Sequence, residues 1–211
     1  LRVGWVTDMK YFMFSHIGIQ LFTFLTVMPI QYWITHLPNN PIVPFVQAQP
    51  IWLQFIELLI VVDFVVYWLH RAMHEVNFLW RFHAIHHSTE HMDWLASSRL
   101  HIVEVLMTRF IATLPIFLLG FHTSAVFAYL VFISFHAIFI HSNVRFRFPY
   151  LRWLIATPEF HHWHHSSEKP AIDKNYVAFI PLYDVIFKTV YMPNHWQVYM
   201  ELWGIRSPIV L

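Results

Sequence analysis

Two long stretches of the chain carry no Asp, Glu, Lys or Arg: residues 11–56, between Lys10 and Glu57, and residues 110–143. A helix rises about 1.5 Å per residue, so about 20 apolar residues cross a hydrocarbon core. The first stretch predicts one membrane-crossing helix over about 11–37. An uncharged connection follows, in which Pro38, Asn39, Asn40, Pro41, Pro44 and Pro50 cannot continue a helix. A second helix is predicted from near Ile51, through the apolar segment 55–69, and on past His70 and His74. The second uncharged stretch is broken at Gly120, His122 and Thr123 and predicts a helical hairpin. Its arms, about 102–119 and 124–141, are near the lower length limit for spanning, and Pro115 is placed to kink the first. From Arg145 to Leu211 the chain is too polar to span. Breaks at Thr157-Pro158 and Lys169-Pro170 predict short helices packed beneath the membrane segments. The expected architecture is all-α: a membrane bundle of about four transmembrane helices with a cytoplasmic helical cap, one domain over 1–211, and no internal repeat.

Composition supports a membrane setting, because 57% of the 211 residues are hydrophobic and only 12% charged, far from soluble usage. A net charge of +1 offers no basic surface for a phosphate backbone, so nucleic acid is not an expected partner. The chain has no cysteine, which excludes disulfides and thiolate metal sites and leaves nitrogen and oxygen as metal donors. It starts at Leu1 rather than methionine, so its N-terminus is treated as incomplete. In the four-helix scheme Arg71, Arg81, Arg99, Arg145, Arg147, Arg152, Lys169, Lys174 and Lys188 fall on one side with Arg2 and Lys10. The two opposite loops have no cation. The positive-inside rule then makes the histidine-rich face cytoplasmic, and Tyr11, Trp33, Trp52, Tyr67 and Trp68 are placed as interfacial anchors.

Histidine is the unusual component: there are seventeen, most of them in three short windows. His70 and His74 are spaced i, i+4, which puts both imidazoles on one helical face within reach of a common ion. His83, His86 and His87 repeat the logic at i, i+3, i+4, and so do His161, His164 and His165. An isolated histidine is usually a hydrogen-bonded core or surface group, but two HxxHH patterns in one chain are hard to reach by chance. Eight ligands exceed what one ion uses, so two ions at about four to five histidines each is the natural count. Imidazole suits iron, copper, nickel and zinc alike. His141, at the end of the last apolar helix, is placed to descend onto the same face as a ninth ligand. His101 is evenly balanced, and His162, between ligand positions, is expected to support the ligands rather than bind. His16, His36, His91, His122, His136 and His195 are left outside the site.

Asp63 precedes His70 by seven residues, so it shares the face of His70 and His74. A carboxylate inside a membrane helix is costly and usually has a partner. The expected partner is the noncoordinating nitrogen of a ligand histidine, with a helix-packing contact as the alternative. Glu75, Glu90, Asp93, Glu104 and Glu159 are able to do similar work, and surface solvation explains them equally well.

The boxes His70-Arg71-Ala72-Met73-His74, His83-Ala84-Ile85-His86-His87 and His161-His162-Trp163-His164-His165 resemble the fatty acid hydroxylase and sterol desaturase superfamily. The flanking run from Trp68 to Trp80, with Glu75 and Asn77, is similar to that of sterol desaturase-like proteins and alkylglycerol monooxygenases. The Thr157-Pro158 step, Asp173-Lys174-Asn175-Tyr176, Asp184, Phe187 and Thr189 are similar too. Ile140-His141-Ser142-Asn143 matches the family's extra histidine. The resemblance runs over about 63–193, with Tyr183 and Lys188 standing where relatives commonly have tryptophan and glycine. It implies a di-iron centre using dioxygen to hydroxylate or desaturate a sterol, fatty acyl or ether lipid, with zinc able to replace iron in purified protein. It further implies a bacterial inner-membrane or endoplasmic-reticulum setting. Electrons must come from an external donor of the cytochrome b5 or ferredoxin type, since the chain holds no haem, flavin or dinucleotide motif. The competing reading is a non-catalytic membrane protein that binds or transports metal. Transport favours ionisable groups along a crossing path, whereas these boxes lie on one side.

Overall fold

The computed structural model describes residues 4–15, 32, 40–89, 91–144 and 149–194, and among them there are helices and turns but no strand. Among the described residues there are eight α-helices: α1 Trp5–Met13, α2 Ile42–Gln47, α3 Ile51–Glu75, α4 Asn77–His83, α5 Ile102–Leu119, α6 Thr123–His141, α7 Pro158–His164 and α8 Leu182–Ile186. Three of them, α3, α5 and α6, are long and apolar enough to cross a membrane. The expected first span over 11–37 lies mostly outside the described residues. The apolar runs set these helices and local chemistry ends them. α3 starts after Pro50 and stops where Val76 turns extended. His101 caps α5, its Nδ1 accepting from the Val103 N–H at 3.0 Å, and Gly120 closes it in the left-handed conformation at φ 69°. His122 caps α6 through the Ser124 N–H. α5 runs through Pro115 as one element.

α3 packs against α5 and α6. Leu58, Leu59, Val62, Ile116, Phe121, Ala125 and Tyr129 fill the contact. The outward faces are apolar as well: Trp52, Ile56, Ile60, Phe64 and Trp68 form an exposed i, i+4 stripe along α3, and Phe127, Leu130, Val131 and Phe135 face outward on α6. An apolar exterior around helices whose backbone groups bond internally is what a lipid environment selects.

One expectation is corrected in the proline-rich connection, which contains the short helix α2. Pro44 sits in its first turn, where a backbone N–H has no intrahelical acceptor to lose. α2 is held against the α5–α6 turn by Asn40 Nδ2 donating to the Leu118 carbonyl and Gln47 Nε2 to that of Gly120. At Gly120 a Cβ would lie 2.7 Å from Val43 Cγ1, so the close approach requires glycine.

Beneath the membrane helices, α7 opens with Thr157 as its cap and Pro158 in its first turn. Tyr67, Ile140, Ala156, Phe160, Tyr176 and Val177 form a second core joining α3 and α6 to the cap. Near the end of the described residues Lys188 holds φ 60°, a left-handed conformation that favours glycine. Tyr183 donates its hydroxyl to the Ile60 carbonyl at 2.9 Å.

Candidate metal centre

The ends of three long helices converge on the cap. α3 brings His70 and His74 on its last turns, α6 ends on His141, and α5 begins with the buried Glu104. The second histidine box is not one helix: His83 ends α4, and His86 and His87 begin a short 3₁₀ turn. In the third, His161 and His164 are on α7 and His165 follows as its C-cap.

All nine histidines expected as ligands come together, in two groups. His70, His74, His83, His87 and His164 form one, and His86, His141, His161 and His165 the other. Within each group one nitrogen per ring lies within 4.8 Å of all the others. The boxes do not map one to one onto the groups. The first and last histidines of each HxxHH go together, while the middle one crosses to the other group, because adjacent residues on a helix point about 100° apart.

The outer nitrogens have specific partners. His70 Nδ1 donates to the Tyr176 carbonyl at 2.6 Å, His164 Nδ1 to that of Lys174 at 2.8 Å, and His83 Nδ1 to the Glu104 carboxylate at 2.7 Å. In the second group His141 Nδ1 donates to the Ala137 carbonyl at 2.7 Å and His86 Nδ1 to that of Arg99 at 3.3 Å. His74 Nδ1 lies 3.5 Å from Asp173 Oδ1. An oxygen that can only accept fixes the proton on Nδ1, so a neutral ring presents a lone pair at Nε2.

The inner nitrogens test whether metal fits. His70 Nε2 and His83 Nε2 are 3.0 Å apart, and His86 Nε2 and His141 Nε2 are 3.2 Å apart. In both pairs the Nδ1 bonds leave a lone pair facing a lone pair. Such pairs repel unless a cation lies between them. Two nitrogens about 2.1 Å from one ion at right angles are about 3 Å apart, which matches these spacings. At His86 a proton is a poor substitute, because this ring is driven well below the ordinary imidazole value, first by burial and then by neighbouring imidazoles, as are His87, His161 and His165 elsewhere in the two groups. His164 is pushed down to about 3, again mainly by burial. The donor set, nitrogen-only and buried apart from the half-buried His70, fits two transition-metal ions.

Several expectations change. Asp63 does not accept from a ligand histidine; its carboxylate takes the backbone N–H groups of Ala178, Phe179 and Ile180. A helix-buried carboxylate needs several donors, and three successive amides supply them where an imidazole offers one. Glu104, which the sequence does not separate from solvated acids, is 4% exposed and carries His83. Its signal is an acid on the first turn of an apolar helix at the histidine end. Glu75 pairs with Arg71 and Asp93 caps Leu95, while Glu159 lies 3.5 Å from Arg152. Glu90 lies outside the described residues. His101 and His122 cap helices, and His136 Nε2 lies 3.0 Å from the Ala156 carbonyl. His162 is buried but joins neither group. His16, His36 and His195 lie outside the described residues.

The chain is 30% identical over 144 residues to ornithine lipid hydroxylase OlsE of Rhizobium tropici, covering 68% of this chain and 44% of that protein. It is 34% identical over 149 residues to alkylglycerol monooxygenase of Homo sapiens, covering 70% and 32%. A very-long-chain aldehyde decarbonylase of Oryza sativa subsp. indica is 30% identical over 140 residues, covering 61% and 22%. The chain spans less than half the length of these relatives. No solved structure matches. The fatty acid hydroxylase family model matches residues 55–189, a stretch that contains both histidine groups, and the chain belongs to the fatty acid hydroxylase family.

Proposed function

We propose that this chain is the core of a membrane di-iron oxidoreductase that uses dioxygen to hydroxylate a lipid, its nine histidines holding one iron per group. The observation that carries the reading is the close approach of two imidazole nitrogens in each group, at the spacing that a shared metal ion gives its ligands. Bound iron supplies dioxygen activation and the oxidising power to remove hydrogen from an unactivated carbon. The chain's own residues do the rest. Histidine rings are fixed in tautomer and orientation by carbonyls and by Glu104. The buried setting limits water access to the reacting carbon. Apolar outward faces on α3 and α6 let a lipid chain approach laterally from the bilayer, so that its reacting carbon is positioned by the helix ends.

Hydroxylation is favoured over desaturation because two relatives matched over about two thirds of this chain are named a hydroxylase and a monooxygenase. Their names also point to polar lipids bearing a long chain as the substrate class. Electrons come from an external carrier of the cytochrome b5 or ferredoxin type, at the cytoplasmic side where the cations gather. The residues 1–211 act as a single membrane unit. All nine histidines lie at one end of the long helices, which speaks against a metal-transport path crossing them.

The test is anaerobic reconstitution with ferrous iron, spectroscopic counting of bound ions, and mass spectrometry of a lipid panel after oxygen is admitted. Two ions and a product heavier by one oxygen atom are expected. A chain that binds one ion, or a di-iron form that consumes no oxygen with any lipid, refutes the proposal.

A further inference from the structure

α3 presents Asp63, Tyr67, His70 and His74 along one face, and every one of them meets the return segment that follows α7. Asp63 Oδ1 accepts from Ala178 and Phe179 at 3.0 and 2.9 Å, and Oδ2 from Ile180 at 2.7 Å. Asp184 takes the two preceding amides, Tyr176 and Val177, both at 2.9 Å. Five successive backbone N–H groups are therefore held by two buried carboxylates. Thr189 ties the ends together, donating to Asp184 Oδ1 at 2.6 Å and lying 3.0 Å from the Tyr67 hydroxyl. Asn175, fully buried, bonds the Phe160 and Tyr191 carbonyls and the Tyr191 N–H. Asp173 and Asn175 both hold positive φ, at 57° and 60°. Left-handed conformations at two non-glycine residues persist only where the surroundings over-determine them.

The shape so enforced has a definite output. Lys174, between the two left-handed residues, gives its carbonyl to His164, and Tyr176, immediately after, gives its own to His70. Both rings belong to the five-histidine group. The four-histidine group takes its carbonyls from elsewhere, Arg99 and Ala137.

Resting on the di-metal reading above, we propose that Asp63 and Asp184 are positioning residues for the five-histidine metal position: they strap residues 176–180 so that the Lys174 and Tyr176 carbonyls set His164 and His70. Their influence reaches one ion and not the other. Loss of packing around α7 would instead spread damage over both groups, since α7 carries His164 of one and His161 of the other.

The experiment is a zinc titration of the full chain in detergent against a competing chelator, for wild type, Asp63→Asn and Asp184→Asn, with circular dichroism alongside. An asparagine offers one accepting oxygen and turns an N–H toward amides that also donate. Wild type should take two ions. Each variant should keep one at wild-type affinity and bind the other roughly 10- to 100-fold more weakly, the loss typical of removing support from a metal-bound histidine. Adding His86→Ala to Asp184→Asn should then weaken the ion that remained, which identifies its position. Cobalt absorption of the single variants should match the four-histidine site alone. Equal weakening of both ions, wild-type affinity at both, or loss of the helical signal in both variants overturns the proposal. A wild-type chain that binds fewer than two ions overturns the di-metal reading and this inference with it.

Discussion

Glu104 is the most informative residue to perturb, because it is a buried carboxylate on the first turn of α5 bonded to a ligand candidate. Its Oε1 lies 2.7 Å from His83 Nδ1, and the two side chains are only 6% and 3% exposed. A hydrogen bond to a charged group is worth about 1.5–3 kcal/mol and a neutral one about 0.5–1.5 kcal/mol. Glu104→Gln preserves shape and an accepting oxygen but removes the charge, so it should cost about 1.4 kcal/mol, roughly tenfold in affinity for one ion. Glu104→Ala removes the acceptor and leaves a buried N–H unsatisfied, a loss of about 1–3 kcal/mol that corresponds to as much as about 100-fold. The order wild type, Gln, Ala is therefore predicted, with the loss confined to the five-histidine position. Chelator-competition titration with zinc measures it, and circular dichroism checks that the helices persist. Two variants that bind both ions as wild type does, or a loss at the four-histidine position instead, would refute the reasoning.

His86→Ala, which deletes a ring from the four-histidine group, should lower the metal content toward one ion per chain while the helical signal persists; unchanged stoichiometry removes His86 from the ligand set. Acid should destabilise the metal-free protein. His86, His87, His161, His164 and His165 are held neutral in the fold by burial, whereas the unfolded chain protonates them below about 6.5, so each contributes a stability slope of about 1.4 kcal/mol per pH unit lost on acidification. Melting temperatures that stay flat or rise between pH 7 and pH 5 contradict this. Gly120→Ala combines a left-handed penalty of about 1–2 kcal/mol with a 2.7 Å approach to Val43, and thermal unfolding in detergent should show a loss of at least that size. At Lys188, also left-handed, glycine should do the opposite and raise stability by up to about 1 kcal/mol in the same assay.

Which parts of this protein could be read along the chain follows from the range of the forces involved. The hairpin helices were legible to within a residue: the expected arms 102–119 and 124–141 are Ile102–Leu119 and Thr123–His141, because exclusion of charge from an apolar run is a local property. The i, i+4 histidine pairs were legible for the same reason, helical periodicity being set by neighbouring backbone bonds. α2 was missed because proline's effect depends on its place within a turn, which composition does not report.

The amino-acid order alone pointed to nine imidazoles gathered at one end of an apolar bundle, and the lack of cysteine left nitrogen and oxygen as possible metal donors. Only the tertiary structure decided how they divide. His86 meets His141, 55 positions away, rather than its neighbour's group, and Asp63 finds its amides more than 110 positions downstream. Glu104 likewise reaches His83 across a loop. Those pairings are fixed by how the long helices and the cap pack together, a property of three dimensions that no local period along the chain contains.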